Sequence, residues 1–132
     1  MKIVIDLPPE SKERPHFSNG HAYTPQKTRD YENAVKLIAK TKIKEPLKGA
    51  VSMRIDFYMP IPESWPVAKK GKAISGELRP TVKSDIDNLC KAIMDGLNGV
   101  AYEDDKQVID LEAHKYYGKP RTEIWLQKTV SI

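Results

Sequence analysis

Two periods run through the apolar positions of this chain, and their order gives the expected fold. Across residues 51–59, Val51, Met53, Ile55, Phe57 and Met59 alternate strictly with Ser52, Arg54, Asp56 and Tyr58. That period of two predicts a strand with one buried face. Across residues 85–97, Ile86, Leu89, Cys90, Ile93, Met94 and Leu97 recur every three or four positions. This spacing predicts a helix with one buried stripe, stopped by Asn98-Gly99. Earlier, residues 2–7 read as a strand with Ile3, Ile5 and Leu7 on one face, and Pro8, Pro9 and Pro15 then demand an irregular segment. Thr24-Pro25 predicts a helix start, threonine capping and proline taking the first helical position. The helix runs to about Lys42 and buries Tyr31, Ala34, Val35 and Ile38, and Pro46 and Gly49 end the connection after it.

Residues 60–82 carry Pro60, Pro62, Pro66 and Pro80 together with a run of lysines, and are expected to form a mobile, basic, substrate-facing loop. Two last strands, 108–116 and 122–128, are joined by Tyr117-Gly118-Lys119-Pro120, which predicts an antiparallel hairpin. The expected architecture is one small α+β domain over residues 1–132, a mixed sheet with two helices in the order β-α-β-α-β-β.

The polar side of the second helix carries the candidate chemistry. Asp87, Asn88, Lys91 and Asp95 lie opposite the apolar stripe, with Lys91 one turn after Asp87. Asp85 and Asp87 straddle the helix start, where an extended segment aims alternate side chains the same way. Asp104-Asp105 follows the helix. Carboxylates alone are the donors a hard cation such as magnesium takes, and with a lysine beside them in a basic protein they point to phosphodiester chemistry. Each piece has a plainer reading. Asp85 or Asp87 can be a helix cap, and Asp87 with Lys91 a surface pair. Asp95 pairs with Lys91 or is solvated, and Asp104 is either a supporting residue or simply exposed. The combination carries more weight, because adjacent like charges repel unless a cation neutralises them.

Charge distribution sharpens this picture. Lys and Arg total 22 against 18 Asp and Glu, a net charge of +4. Lys69, Lys70, Lys72, Arg79 and Lys83 precede the acids, and Lys12, Arg14, Lys27 and Arg29 form a second basic group. Basic surface around a carboxylate site suits a polyanion approaching a metal-neutralised centre, while the bland alternative is lysine for solubility. The length of 132 residues allows a single core without staples. The lone Cys90 falls on the apolar stripe and is read as core, so nothing argues for an oxidising compartment. No long apolar run or signal-like start is present, since residues 1–5 are broken by Asp6 and Pro8. Cytoplasm without membrane contact is therefore the expectation. His16, His21 and His114 show no metal-ligand spacing. Trp125 reads as packing, and Trp65 on the loop as a contact for an unpaired base.

Residues 83–108, with D-x-D-N-x-x-K at Asp85 to Lys91, D-x-L at Asp95 to Leu97 and D-D-x-Q-V at Asp104 to Val108, resemble the signature of RusA-type crossover-junction endodeoxyribonucleases, the Holliday junction resolvases of prophages and bacteria. The likeness extends more weakly to Arg14-Pro15 and to residues 23–29, and the long basic loop is an elaboration that not every member has. The resemblance implies a magnesium-dependent enzyme, with manganese a plausible substitute, that nicks four-way DNA junctions symmetrically in recombination and repair. It implies that Asp85, Asp87 and Asp105 hold the metal, that Lys91 assists catalysis, and that the enzyme is a homodimer. Arg14, Lys27, Arg29, Lys69, Lys70, Lys72, Arg79 and Lys83 are the candidate DNA contacts. The competing readings are a related metal-dependent nuclease acting on other branched DNA or on RNA, and a junction-binding protein without catalysis.

Overall fold

The computed structural model describes residues 1–13 and 15–129, so the Arg14 expectation lies outside the described residues. The elements are β1 (Lys2–Ile5), β2 (His16–Ser18), β3 (His21–Tyr23), α1 (Gln26–Lys40), β4 (Val51–Met59), α2 (Val67–Ser75), α3 (Ile86–Leu97), a 3₁₀ turn (Asp105–Gln107), β5 (Val108–Tyr117) and β6 (Arg121–Lys128). The mixed α+β character matches the expectation. The element count does not, because α2 and the small β2–β3 hairpin add a helix and two strands.

Four strands form the main sheet in the order β1-β6-β4-β5. Central β4 pairs antiparallel with β6 on one edge and parallel with β5 on the other. The expected β5–β6 hairpin is therefore wrong: these strands flank β4 rather than each other. The turn at residues 118–120 arches over the end of β4, where the Gly118 N–H donates to Met59 O at 3.0 Å. Skipping one strand means crossing about 10 Å, twice the interstrand spacing, which three extended residues can span.

The alternation in β4 is realised over residues 51–57 on the inner face, although Asp56 of the other face is also buried and Met59 is only half-buried. Val51, Met53, Ile55 and Phe57 are buried together with Ile3 and Ile5 of β1, Ile124 and Leu126 of β6, Tyr31, Val35 and Ala39 of α1, and Leu89, Ile93 and Leu97 of α3. Helices α1 and α3 thus cover one face of the sheet, and they approach closely at Gly96. A Cβ there would stand 2.9 Å from Val35 Cγ1 and 3.3 Å from the Glu32 carbonyl oxygen. The other face is polar and aromatic. Trp125 lies between Lys2 and Arg54, 5.1 and 5.2 Å from its ring centre, so it is not a core residue.

Helix α1 starts one residue later than expected: Pro25 occupies the cap position and no side chain caps it. Ala34 and Ile38 are half-buried rather than buried, and Thr28 and Ala39 complete the inner face. Within the expected loop, α2 begins after Pro66 and ends at Gly76, whose φ of 88° is the left-handed geometry that terminates helices. Only Ala73 of α2 is buried, while Val67 and Ile74 are exposed, so it has no apolar stripe to announce it. Among the described residues no helix is long and apolar enough to cross a membrane.

Candidate active site

Asp85 occupies the N-cap of α3, yet its side chain makes no capping hydrogen bond. Its backbone carbonyl does the structural work by accepting from the Leu89 N–H at 3.1 Å. The capping alternative is thus met by position only, and the carboxylate remains exposed beside Asp87 in the first turn. The entry to α3 is held from the edge strand. Lys115 Nζ of β5 donates to Val82 O at 3.0 Å and to Ser84 O at 2.7 Å. A cleft of 540 Å³ opens there, with Arg79, Lys83, Asp85, Asp87 and Lys115 on its walls. Asp87 also borders a second hollow of 340 Å³ that contains Cys90, Lys91, Met94 and Leu111. Burial, and then the Asp87 charge, push the Cys90 thiol up to about 11, which fits its expected place in the core.

The Asp104-Asp105 pair divides its labour. Asp104 Oδ1 accepts from the Lys106 N–H at 2.9 Å and so caps the 3₁₀ turn. Gln107 Oε1 accepts from the Glu103 and Asp104 N–H groups at 2.9 and 3.2 Å, while its amide donates to Leu47 O and Gly49 O. This clamp accounts for the D-D-x-Q spacing. With Asp104 turned to its own backbone, Asp105 is the member that faces α3, where its Oδ2 lies 3.7 Å from Lys91 Nζ. The Lys106 N–H, then the Asp105 side chain, hold the Asp104 carboxyl below the usual range. Burial and the Asp104 side chain raise that of Asp105. Tyr102 anchors the same connection from inside: it is fully buried and donates to Met94 O at 2.8 Å.

Lys91 reaches Asp95 Oδ1 at 3.2 Å, one of the two readings expected for Asp95; the alternative pairing with Asp87 is not made. The hydrogen bond to Asp95, then its charge, raise the Lys91 pKa, so the amine is an ammonium at neutral pH. Asp95 Oδ2 also meets Lys12 Nζ at 3.3 Å, and Lys12 donates to Glu32 Oε1 at 2.6 Å. Burial lowers the Lys12 pKa, but the bonds to Glu32 and Asp95 outweigh it and the net shift is upward.

Lys12 in this arrangement, Glu32 and Lys115 were missed from sequence as site residues. Glu32 and Lys115 left a trace, each being a charge at an apolar phase of its element. Lys12 left none beyond membership of a basic group.

The other candidate contacts scatter. Lys27 pairs with Glu10 at 3.3 Å, and Arg29 bonds to Gln26 within α1. Lys69 sits over the Trp65 ring at 4.0 Å, and Trp65 packs edge-on against Tyr117 at 5.2 Å, so this indole is engaged within the fold. Lys70 and Lys72 lie on α2. Arg79 donates to Lys115 O at 2.9 Å and covers the Tyr116 ring. Arg79 and Lys83 are the two that border the acidic cleft.

The donor set is of the kind a hard divalent cation takes: oxygens alone, one carboxylate free of capping duty, and one, Asp105, whose pKa is raised by burial and then by the Asp104 side chain. Among the described residues no three His, Cys, Asp or Glu side chains stand close enough to share one ion. Asp85 and Asp87 are exposed, however, and their side chains are free to rotate.

A mixed sheet whose edge strand and packed helix hold carboxylates and ammoniums around an open cleft defines a small α+β domain with a charged, solvent-open site. The chain belongs to the family described as Endodeoxyribonuclease RusA, which matches residues 6–127. It is also similar to a Bacillus subtilis (strain 168) protein named Uncharacterized protein YqaN, with 38% identity over 136 residues that take in 97% of this chain and 96% of that protein.

Proposed function

We propose that this protein is a magnesium-dependent endodeoxyribonuclease that resolves four-way DNA junctions by paired symmetric nicks. The observation that carries the reading is the family match across residues 6–127, together with an acid–lysine arrangement at the positions of the family signature. Asp85, Asp87 and Asp105 would hold the cation. Magnesium, or manganese in its place, supplies a Lewis acid for the phosphoryl oxygen and lowers the pKa of a bound water. Lys91 offers its ammonium to the negative charge that develops on the phosphate oxygens. Arg79 and Lys83 meet the backbone at the cleft, with Lys27, Arg29, Lys69, Lys70 and Lys72 extending the cationic surface. Two nicks across a two-fold junction call for two sites, and a two-fold homodimer is the simplest supply. The sheet face that the helices leave open is available for that contact.

Carboxylate variants test the reading. Asp85→Asn, Asp87→Asn and Asp105→Asn are each expected to abolish junction cleavage while junction binding persists or tightens, because asparagine removes a charge that repels phosphate. Asp104→Asn is expected to lose less, since asparagine can still accept from Lys106 N–H. Near wild-type cutting by all three single variants would refute the assignment.

A further inference from the structure

Asp95 is a carboxylate that the proposed chemistry leaves without a task. Its side chain is only 17% exposed, and a carboxylate so enclosed needs partners for both oxygens. Oδ1 meets Lys91 Nζ and Oδ2 meets Lys12 Nζ, at 3.2 and 3.3 Å. Lys12 is itself only 22% exposed and is fixed twice more. Its ammonium bonds to Glu32 Oε1 at 2.6 Å, and its backbone N–H donates to Asn88 O at 2.9 Å. Asn88, Lys91 and Asp95 share one face of α3, so Lys12 grips the helix on both sides of Lys91. Gly96 lets α1 come near enough for Glu32 to join. On a helix, lysine four residues before an acid is the weaker order of such a pair. Asp95 alone would therefore hold Lys91 loosely, whereas a carboxylate pinned at its second oxygen cannot turn away.

We infer that Lys12 and Asp95 are positioning residues: Lys12 locks the Asp95 carboxylate, and Asp95 fixes where the Lys91 ammonium stands relative to Asp105 and the substrate phosphate. The inference rests on the role proposed above for Lys91. A merely structural ion network would alter stability and leave turnover on bound substrate unchanged.

The test measures single-turnover cleavage of a synthetic four-way junction, and junction affinity, for Asp95→Asn, Lys12→Met and Lys12→Arg, each alone and combined with Lys91→Ala. Misplacing a group by about 1 Å costs up to about a hundredfold in rate. Asp95→Asn and Lys12→Met are accordingly expected to slow cleavage by about 10- to 100-fold, with affinity changed by less than about threefold. Lys12→Arg should keep most of what Lys12→Met loses, and with Lys91→Ala neither change should slow cleavage further. A wild-type rate for Asp95→Asn, or a full additional loss on top of Lys91→Ala, overturns the inference. Acylation of Lys91, read by mass spectrometry against Lys106, follows the same contact without cleavage. Faster acylation of Lys91 in Asp95→Asn supports the inference and an unchanged rate overturns it. That holds even if the wild-type protein cuts no junction, the result that would refute the nuclease reading itself.

Discussion

Gly96→Ala tests how tightly α1 and α3 must approach to assemble the site. In an ordinary exposed helix this change stabilises by about 1 kcal/mol, because glycine has more conformational freedom to lose. Here the new Cβ would stand 2.9 Å from Val35 Cγ1, 3.0 Å from Val35 Cβ and 3.3 Å from Glu32 O. Carbon atoms rest at about 3.5–4.0 Å, so the helices must part by roughly half an ångström or more. Val35 is fully buried and β-branched, with little rotamer freedom in a helix, and Glu32 O is backbone, so neither yields easily. Overpacking of this kind costs about 1–3 kcal/mol. Set against the propensity gain, the expected net change is a destabilisation of about 1 kcal/mol, or a fall in Tm of roughly 3–5 °C for a chain of this size. Urea unfolding followed by circular dichroism, with unchanged m, would measure it. Val35→Ala removes the nearest atom, Val35 Cγ1, but leaves Val35 Cβ at 3.0 Å, so the Gly96→Ala penalty should be relieved in part, by about 0.5 kcal/mol or more, in that background. Stabilisation by Gly96→Ala alone, or strict additivity of the two changes, would refute the close approach.

The basic helix should govern affinity rather than turnover. Replacing Lys69, Lys70 and Lys72 together is expected to flatten the log–log salt dependence of junction binding by up to about one unit per lost phosphate contact. An unchanged slope would assign those lysines to solubility. Sedimentation at the concentrations where junctions are resolved should show a dimer, and a 15.0 kDa species that still makes paired nicks would exclude the assembly argument.

What the sequence revealed, and what it hid, follows from the range of the forces involved. Strand β4 and helix α3 were legible because each buries one face and keeps strict period, and the acidic signature was legible because it straddles a helix start. The hairpin expectation failed at Tyr117–Pro120 because a short polar turn fixes the reversal of the chain and not the strand that lies between. Helix α2 was hidden by its exposure: with only Ala73 buried, nothing in its spacing separated it from a loop. Arrangements such as Lys12 with Glu32, or Lys115 with Ser84 O, are tertiary, joining residues 20 and 31 positions apart. Local period cannot show them. The family resemblance already favoured Asp105 over Asp104, but the reason, Asp104 capping the turn while Asp105 faces Lys91, emerged only from the geometry.

The most direct measurement incubates the protein with a synthetic immobile four-way junction, with and without magnesium, and maps the nicks on all four strands. The account predicts paired nicks at symmetric positions on two opposing strands, ligatable, dependent on magnesium, and absent from linear duplex of the same sequence. No cleavage with magnesium or manganese, or equal cutting of junction and duplex, would contradict it.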